Sequence, residues 1–291
     1  MKDSLQRFLF EHIPVRGELV HLDATWQAVL ERHDYPAPLR HILGELMAAA
    51  ALLAATLKFE GSIILQLHGS GPVSLIVVEC TSEQTLRATA KWSGELSADD
   101  LPALLGSGRF VITLSPTSGT QTYQGVVDLQ GRTVAACLEH YMSNSEQLET
   151  RLWLAADDTR SAGMLLQQVP ARADHEGDPD AWTRMGHLGN TLAAAELLDL
   201  TPKILLHRLY HEDDVRLFEP RPVSFRCSCT TQRVVSMLRM LGHDEVRSIV
   251  EERKTVDVTC EFCNKRYTFD AVDAEQVFAA EPVARAGPTR H

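Results

Sequence analysis

Val256-Asp-Val-Thr-Cys260-Glu-Phe-Cys263-Asn-Lys-Arg-Tyr-Thr-Phe269 decides what the C-terminal part of this chain is. Val256 and Val258 alternate into Cys260, and Tyr267 and Phe269 alternate out of Cys263, so the stretch predicts a β-hairpin with Cys-x-x-Cys at its tip. Such a tip points two sulfurs at one ion and supplies half of a tetrahedral metal site. Cys227-Ser228-Cys229, thirty residues upstream, supplies the other half. Four of the six cysteines fall in this span, so Cys227, Cys229, Cys260 and Cys263 are the predicted ligands. Zinc is the predicted ion, although four thiolates also hold an iron–sulfur cluster.

The Cys-x-Cys half is the unusual one, because most structural zinc sites use wider spacings in both halves. Two thiols that close can form a small, strained disulfide loop, and strained disulfides are labile. A segment of about 65 residues from Cys227 to His291 has little core and often needs a staple. Zinc supplies on the order of 10–16 kcal/mol to small peptides of this kind. Oxidation removes the thiolate ligands, so the spacing predicts a segment that unfolds in response to oxidants. Within it, Val234, Val235, Leu238 and Leu241 mark a helix over Thr231–Leu241, stopped by Gly242. The tail after Glu281 reads as disordered.

Upstream of the cysteines, Pro220 and Pro222 break the chain. A short helix fits Pro202–Tyr210, with Pro at its first turn. Ala181, Met185, Leu188, Leu192 and Ala195 form one apolar helical stripe. Gly186 and Gly189 lie inside it, each costing about 1 kcal/mol relative to Ala, so that helix depends on docking. Asp174–Asp180, DHEGDPD, is acidic and holds no apolar residue, which marks a boundary. The predicted organisation is an N-terminal domain over 1–173, a helical linker over 174–226 and a metal-binding domain over 227–291.

The first 173 residues predict an antiparallel α+β domain. Ser62–Gln66 and Val73–Glu79 flank the turn His68-Gly-Ser-Gly-Pro72, and Arg109–Leu114 with Tyr123–Leu129 repeats the theme. Thr133–Met142 predicts a helix and Leu148–Leu154 a strand. Pro38–Lys58 predicts a helix whose apolar run, Leu46–Leu57, is short of the roughly 20 residues of a membrane span. It reads as a core helix packed closely through Ala48–Ala51. No apolar leader opens the sequence, so the expected compartment is a reducing cytoplasm and no membrane partner is expected.

The formal charge is 28 − 39 = −11, which repels phosphate backbones. Cys227–His291 carries nine Lys/Arg against ten Asp/Glu, so a zinc-ribbon regulator that binds nucleic acid lacks its electrostatic footprint. A thiol–disulfide oxidoreductase is a third reading of Cys-Glu-Phe-Cys, but that motif usually opens a helix and here the flanks predict strands. Cys80 and Cys137 read as buried, inert thiols. His207 and His211 have helical i,i+4 spacing without a nearby third ligand, and His243 adjoins a site already filled by four thiolates. Gly69-Ser-Gly71 and Gly106-Ser-Gly108 lack the spacing of a phosphate loop and read as turns. Ser143, Ser145 and Glu146 read as a cap. No Ser-His-Asp set or carboxylate dyad emerges, so the chain is expected not to be an enzyme.

The sequence resembles the heat shock protein 33 family of redox-regulated holdase chaperones over nearly its whole length. Asp3–Val20 (DSLQRFLFEHIPVRGELV), Leu43–Cys80, Tyr141–Leu148 (YMSNSEQL) and Ala162–Pro170 (AGMLLQQVP) are similar to segments of that family. Phe225–Cys229 and Val258–Phe269 match its CxC and CxxC zinc motif. The resemblance implies a zinc-bound, reduced form that is inactive. It implies that strong oxidants join Cys227 to Cys229 and Cys260 to Cys263, release zinc and unfold the linker. It further implies a homodimer when oxidised that holds unfolded or partly folded client proteins without ATP. Both the Ala181–Tyr210 helices and the exposed sheet of the first domain are candidate client surfaces.

Overall fold

The computed structural model describes residues 3–58, 60–98, 100–118, 121–170, 178 and 180–279. The architecture is α+β with antiparallel sheets, as the sequence predicts. It divides into two compact units that meet in sequence between Arg226 and Cys227.

In the first unit, β1 (Ser4–Phe10) and β2 (Val15–Leu22) pair as a hairpin. Helices α1 (Ala24–Leu30) and α2 (Ala37–Thr56) follow, the second entered through Pro36 and Pro38. The predicted hairpin is β3 (Gly61–Gly69) with β4 (Val73–Thr81), and β5 (Thr85–Trp92) continues the meander. After α3 (Leu101–Leu105) comes the second predicted hairpin, β6 (Gly108–Pro116) with β7 (Tyr123–Asp128). The two Gly-Ser-Gly stretches are turns that pack on each other, with Ser70 N–H donating to Ser107 O at 2.9 Å. Then α4 (Val134–Asn144) leads to β8 (Thr150–Ala156) and β9 (Ser161–Gln168).

The segment after β9 wraps back over the unit. It comprises α5 (Ala181–Gly189), α6 (Ala194–Asp199), α7 (Pro202–Tyr210), β10 (Val215–Leu217), β11 (Arg221–Pro222) and β12 (Ser224–Phe225). One sheet has the order β10-β1-β2-β9-β8, with β11 also on β1. The other has the order β12-β5-β4-β3-β6-β7, and only the β12–β5 pairing is parallel.

Helix α2 is packed against both sheets, and Ala48, Ala49, Ala50 and Ala51 have no solvent exposure. Small side chains let the helix approach two strand layers at once. Gly44 serves the same end, because a Cβ there would fall 2.5 Å from Ala156 Cβ. Among the described residues α2 alone is long and apolar enough to cross a bilayer, and it forms the core of this unit. The opposite face of the first sheet presents Phe8, Phe10, Leu19, Met164 and Leu166, and α5, α6 and α7 cover it with Met185, Leu197, Leu205 and Leu209.

One expectation changes here. The single helix drawn through Ala181, Met185, Leu188, Leu192 and Ala195 is two helices, and Ala195 is exposed while Leu197 and Leu198 are buried. The break follows Gly189, where Asn190 Oδ1 accepts from Trp153 Nε1 at 3.1 Å and Glu196 bonds back to the Ala193 N–H at 3.0 Å. Asp174–Asp180 and the tail beyond Glu281 lie almost wholly outside the described residues.

The second unit is α8 (Thr231–Leu241), α9 (His243–Arg253), β13 (Val256–Thr259), β14 (Arg266–Phe269) and α10 (Ala271–Ala279). Its buried side chains are Val and Ala apart from Leu238, Tyr267 and Phe269. So small an apolar core gives little burial energy with which to offset chain entropy.

Candidate metal centre

The hairpin forms with Val256 opposite Phe269 and Thr259 opposite Arg266, which leaves Cys260–Lys265 as its tip. The tip is closed by Cys260 N–H donating to Lys265 O at 3.0 Å and Asn264 N–H donating to Cys260 O at 2.9 Å. Asn264 takes a positive φ of 57°, a conformation its short polar side chain tolerates. Cys227 and Cys229 lie in the extended segment that leads into Thr230, whose side chain accepts from Arg233 N–H and caps α8. The cap ties the Cys-x-Cys half to the start of a helix, where the helix dipole favours negative charge.

These local structures bring all four predicted sulfurs together, each within 4.8 Å of the others. Cys227 Sγ lies 3.7 Å from Cys260 Sγ, and Cys229 Sγ lies 3.4 Å from Cys263 Sγ. Four sulfurs at about 2.3 Å from one ion stand about 3.8 Å apart, so the spacing suits a single tetrahedral ion. The four thiols are half-buried, which leaves the site open to small oxidants.

The sulfurs are electrostatically unequal. Burial pushes Cys229 up, but a hydrogen bond from Tyr267 Oη at 3.2 Å and those from the neighbouring sulfurs outweigh it and bring the thiol down to about 7. Burial pushes Cys263 up to about 12, and the other sulfurs add to the shift. Burial likewise raises Cys227. Cys229 is thus the thiol that gives up its proton most readily, while a cation would have to offset the cost of ionising Cys227 and Cys263.

Tyr267 is the residue that sequence pattern did not reveal as part of this centre. Its alternation with Phe269 marks it as core, and its ring is buried. The hydroxyl reaches Cys229 only because β14 is registered against β13.

The other sequence candidates stay apart. Cys80 is fully buried in β4, and burial raises its thiol pKa; burial also pushes Cys137, on α4, up to about 11. His207 and His211 stack edge to face with ring centroids 5.9 Å apart. His243 meets Glu275 at 3.2 Å, linking α9 to α10. Glu146 accepts from Tyr141 Oη at 2.6 Å, and Ser145 caps α4.

A family profile described as Hsp33 protein matches residues 3–270. The chain belongs to the Hsp33 family. A 33 kDa chaperonin of Methylobacillus flagellatus is 52% identical over 292 residues, covering 100% of this chain and 99% of that one. A 33 kDa chaperonin of Chromobacterium violaceum is 52% identical, covering 99% of this chain and 98% of its own. The crystal structure of a 33 kDa chaperonin, an Hsp33 homologue from Thermotoga maritima, superposes with a TM-score of 0.81 at 21% identity. It covers 95% of this chain and 98% of its own, which extends the shared Hsp33 fold over both units.

Proposed function

We propose that this chain is a redox-regulated, ATP-independent holdase. In this reading it is cytoplasmic and homodimeric when oxidised, and Cys227, Cys229, Cys260 and Cys263 hold one zinc ion in the reduced, inactive form. The observation that carries the reading is the convergence of four half-buried sulfurs in a unit with a small core, in a chain of the Hsp33 family. An iron–sulfur cubane spreads its four thiolates over four metal atoms, so sulfurs this close favour a single ion.

Zinc would hold the two halves of the unit together, because Cys227 and Cys229 of one segment face Cys260 and Cys263 of the hairpin tip. Disulfides Cys227–Cys229 and Cys260–Cys263 each lie within one half. Forming them gives no bridge between the halves and removes the ligands. In each, two thiolates surrender an electron pair to a peroxide, an S–S bond forms, and the O–O bond breaks to leave two waters after protonation. The unit then loses on the order of 10 kcal/mol of ion binding that its core cannot replace. The partition into a domain over 1–173, a linker over 174–226 and a switch over 227–291 gives the event its output. Undocking of α5, α6 and α7 uncovers Phe8, Phe10, Leu19, Met164 and Leu166 together with the apolar faces of the helices, a surface for unfolded clients.

The test is zinc release under peroxide and mild heat, read with a chromogenic chelator beside aggregation of a thermally unfolding client. Zinc loss that coincides with protection supports the whole reading. Zinc loss without protection sinks the holdase assignment, and retained zinc sinks the switch.

A further inference from the structure

Residues 215–226 form a strap that lies on the edges of both sheets of the first unit. Strands β10 and β11 pair antiparallel with β1, while β12 pairs parallel with β5. The β5 contact is built like the docking of a peptide. Ser224 N–H donates to Gln84 O at 3.1 Å and Arg226 N–H donates to Leu86 O at 2.9 Å. The side chains on either side of Ser224 point into the unit: Val223 is 4% exposed within the core, and Phe225 packs on that core. The guanidinium of Arg32, in the turn that follows α1, stands 4.1 Å over the Phe225 ring. The ladder stops at Phe225 opposite Leu86, whereas β5 continues to Trp92. The strap's hold on β5 is therefore a two-residue strand, and Arg226 alone separates it from Cys227.

We infer that the groove between the edge of β5 and α1 is a binding site for extended polypeptide, and that Arg221–Arg226 occupies it as an internal substitute. The ligand class is an unfolded segment with an apolar residue and, two positions later, an aromatic one. Main-chain N–H groups pair with Gln84 and Leu86 carbonyls, and the two side chains take the places of Val223 and Phe225. Recognition through backbone and two apolar positions suits a protein that meets many sequences. The inference rests on the holdase reading for the event that frees the strap.

The probe is the fluorescein-labelled peptide RPVSFR, the sequence of Arg221–Arg226, titrated by anisotropy against the full-length protein. It should bind the oxidised protein at least tenfold more tightly than the reduced, zinc-loaded protein. N-methylation at the positions of Ser224 and Arg226 should weaken binding at least tenfold. N-methylation at the position of Phe225, whose N–H neighbours those two donors in the ladder but faces away from β5, should leave it unchanged. Equal binding to both redox forms, or equal binding of all the N-methylated peptides, overturns the inference. The same oxidised sample is assayed for client protection. Protection without peptide binding removes the groove and keeps the holdase reading, and pattern-specific peptide binding without protection does the reverse.

Discussion

Gly189→Ala and Gly186→Ala should move the docking of α5 in opposite directions, although the two glycines sit three residues apart on one helix. A Cβ at Gly189 would lie 2.3 Å from Trp153 Cζ2 and 2.6 Å from Cη2, closer than real contacts allow. The indole is held on β8 and donates to Asn190 at 3.1 Å, so the helix must retreat from the sheet. Overpacking of this kind costs about 1–3 kcal/mol. With about 2 kcal/mol taken as the cost, the undocked population of α5 rises roughly thirtyfold, at 1.4 kcal/mol per tenfold. A Cβ at Gly186 meets only Arg151 Nε, at 3.8 Å. That substitution gains up to about 1 kcal/mol of helix propensity, so opening falls roughly fivefold. Hydrogen exchange of reduced, zinc-loaded protein, read by mass spectrometry over 181–210, reports both numbers. Gly189→Ala should also undock and protect clients at a lower temperature. If both variants slow exchange, propensity governs the segment and the close contact with Trp153 does not.

Two further outcomes follow from buried groups. Glu18, buried on β2 with Oε2 lacking a hydrogen-bond partner among the described residues, is pushed up to about 7 by burial, against the pull of Arg7, Arg16 and Arg221. Below about pH 4.5 the folded and unfolded chains both carry the proton; between 4.5 and 7 only the folded chain keeps it, so stability falls as pH rises. The loss reaches on the order of 3 kcal/mol by pH 7. Glu45, pushed up to about 7 by burial alone, acts with the same sign, so the comparison is between Glu18→Gln and the parent. Denaturant midpoints at pH 5 and 7 should differ less in Glu18→Gln, and identical differences would refute the assignment. In the second case, an aromatic disulfide reagent applied to reduced protein after chelation should titrate the four clustered thiols promptly. Cys80 and Cys137, buried and raised in pKa, should react only in denaturant. Six fast thiols would contradict the placement of those two in the core.

Much of the candidate metal centre was legible because its parts are local. Val256–Phe269 carries strand alternation on both sides of its cysteines, and Thr230 caps α8 right after Cys229. The hairpins β3–β4 and β6–β7 were legible for the same reason, since Gly, Ser and Pro mark their turns. The sheet of β10-β1-β2-β9-β8 was not, because it draws strands from both ends of the first unit and no local period encodes such pairings. Helix α9, HDEVRSIVEER, is not legible in the sequence because its buried residues are only Val246 and Val250, too few for a stripe. The stripe over 181–195 reads as one helix because periodicity does not show that Asn190 will bond Trp153.

The sequence by itself determined the α+β class and singled out Cys227, Cys229, Cys260 and Cys263 as the thiols that the fold brings together. These rest on residue chemistry and on spacings a few positions long. Only the tertiary structure decided that Tyr267 hydrogen-bonds Cys229, that Gly189 is a contact with Trp153, and that 215–226 lies along the edges of two sheets. Each depends on which surfaces meet after strands far apart in sequence have paired, and that outcome is set by packing of the whole unit rather than by any stretch within it.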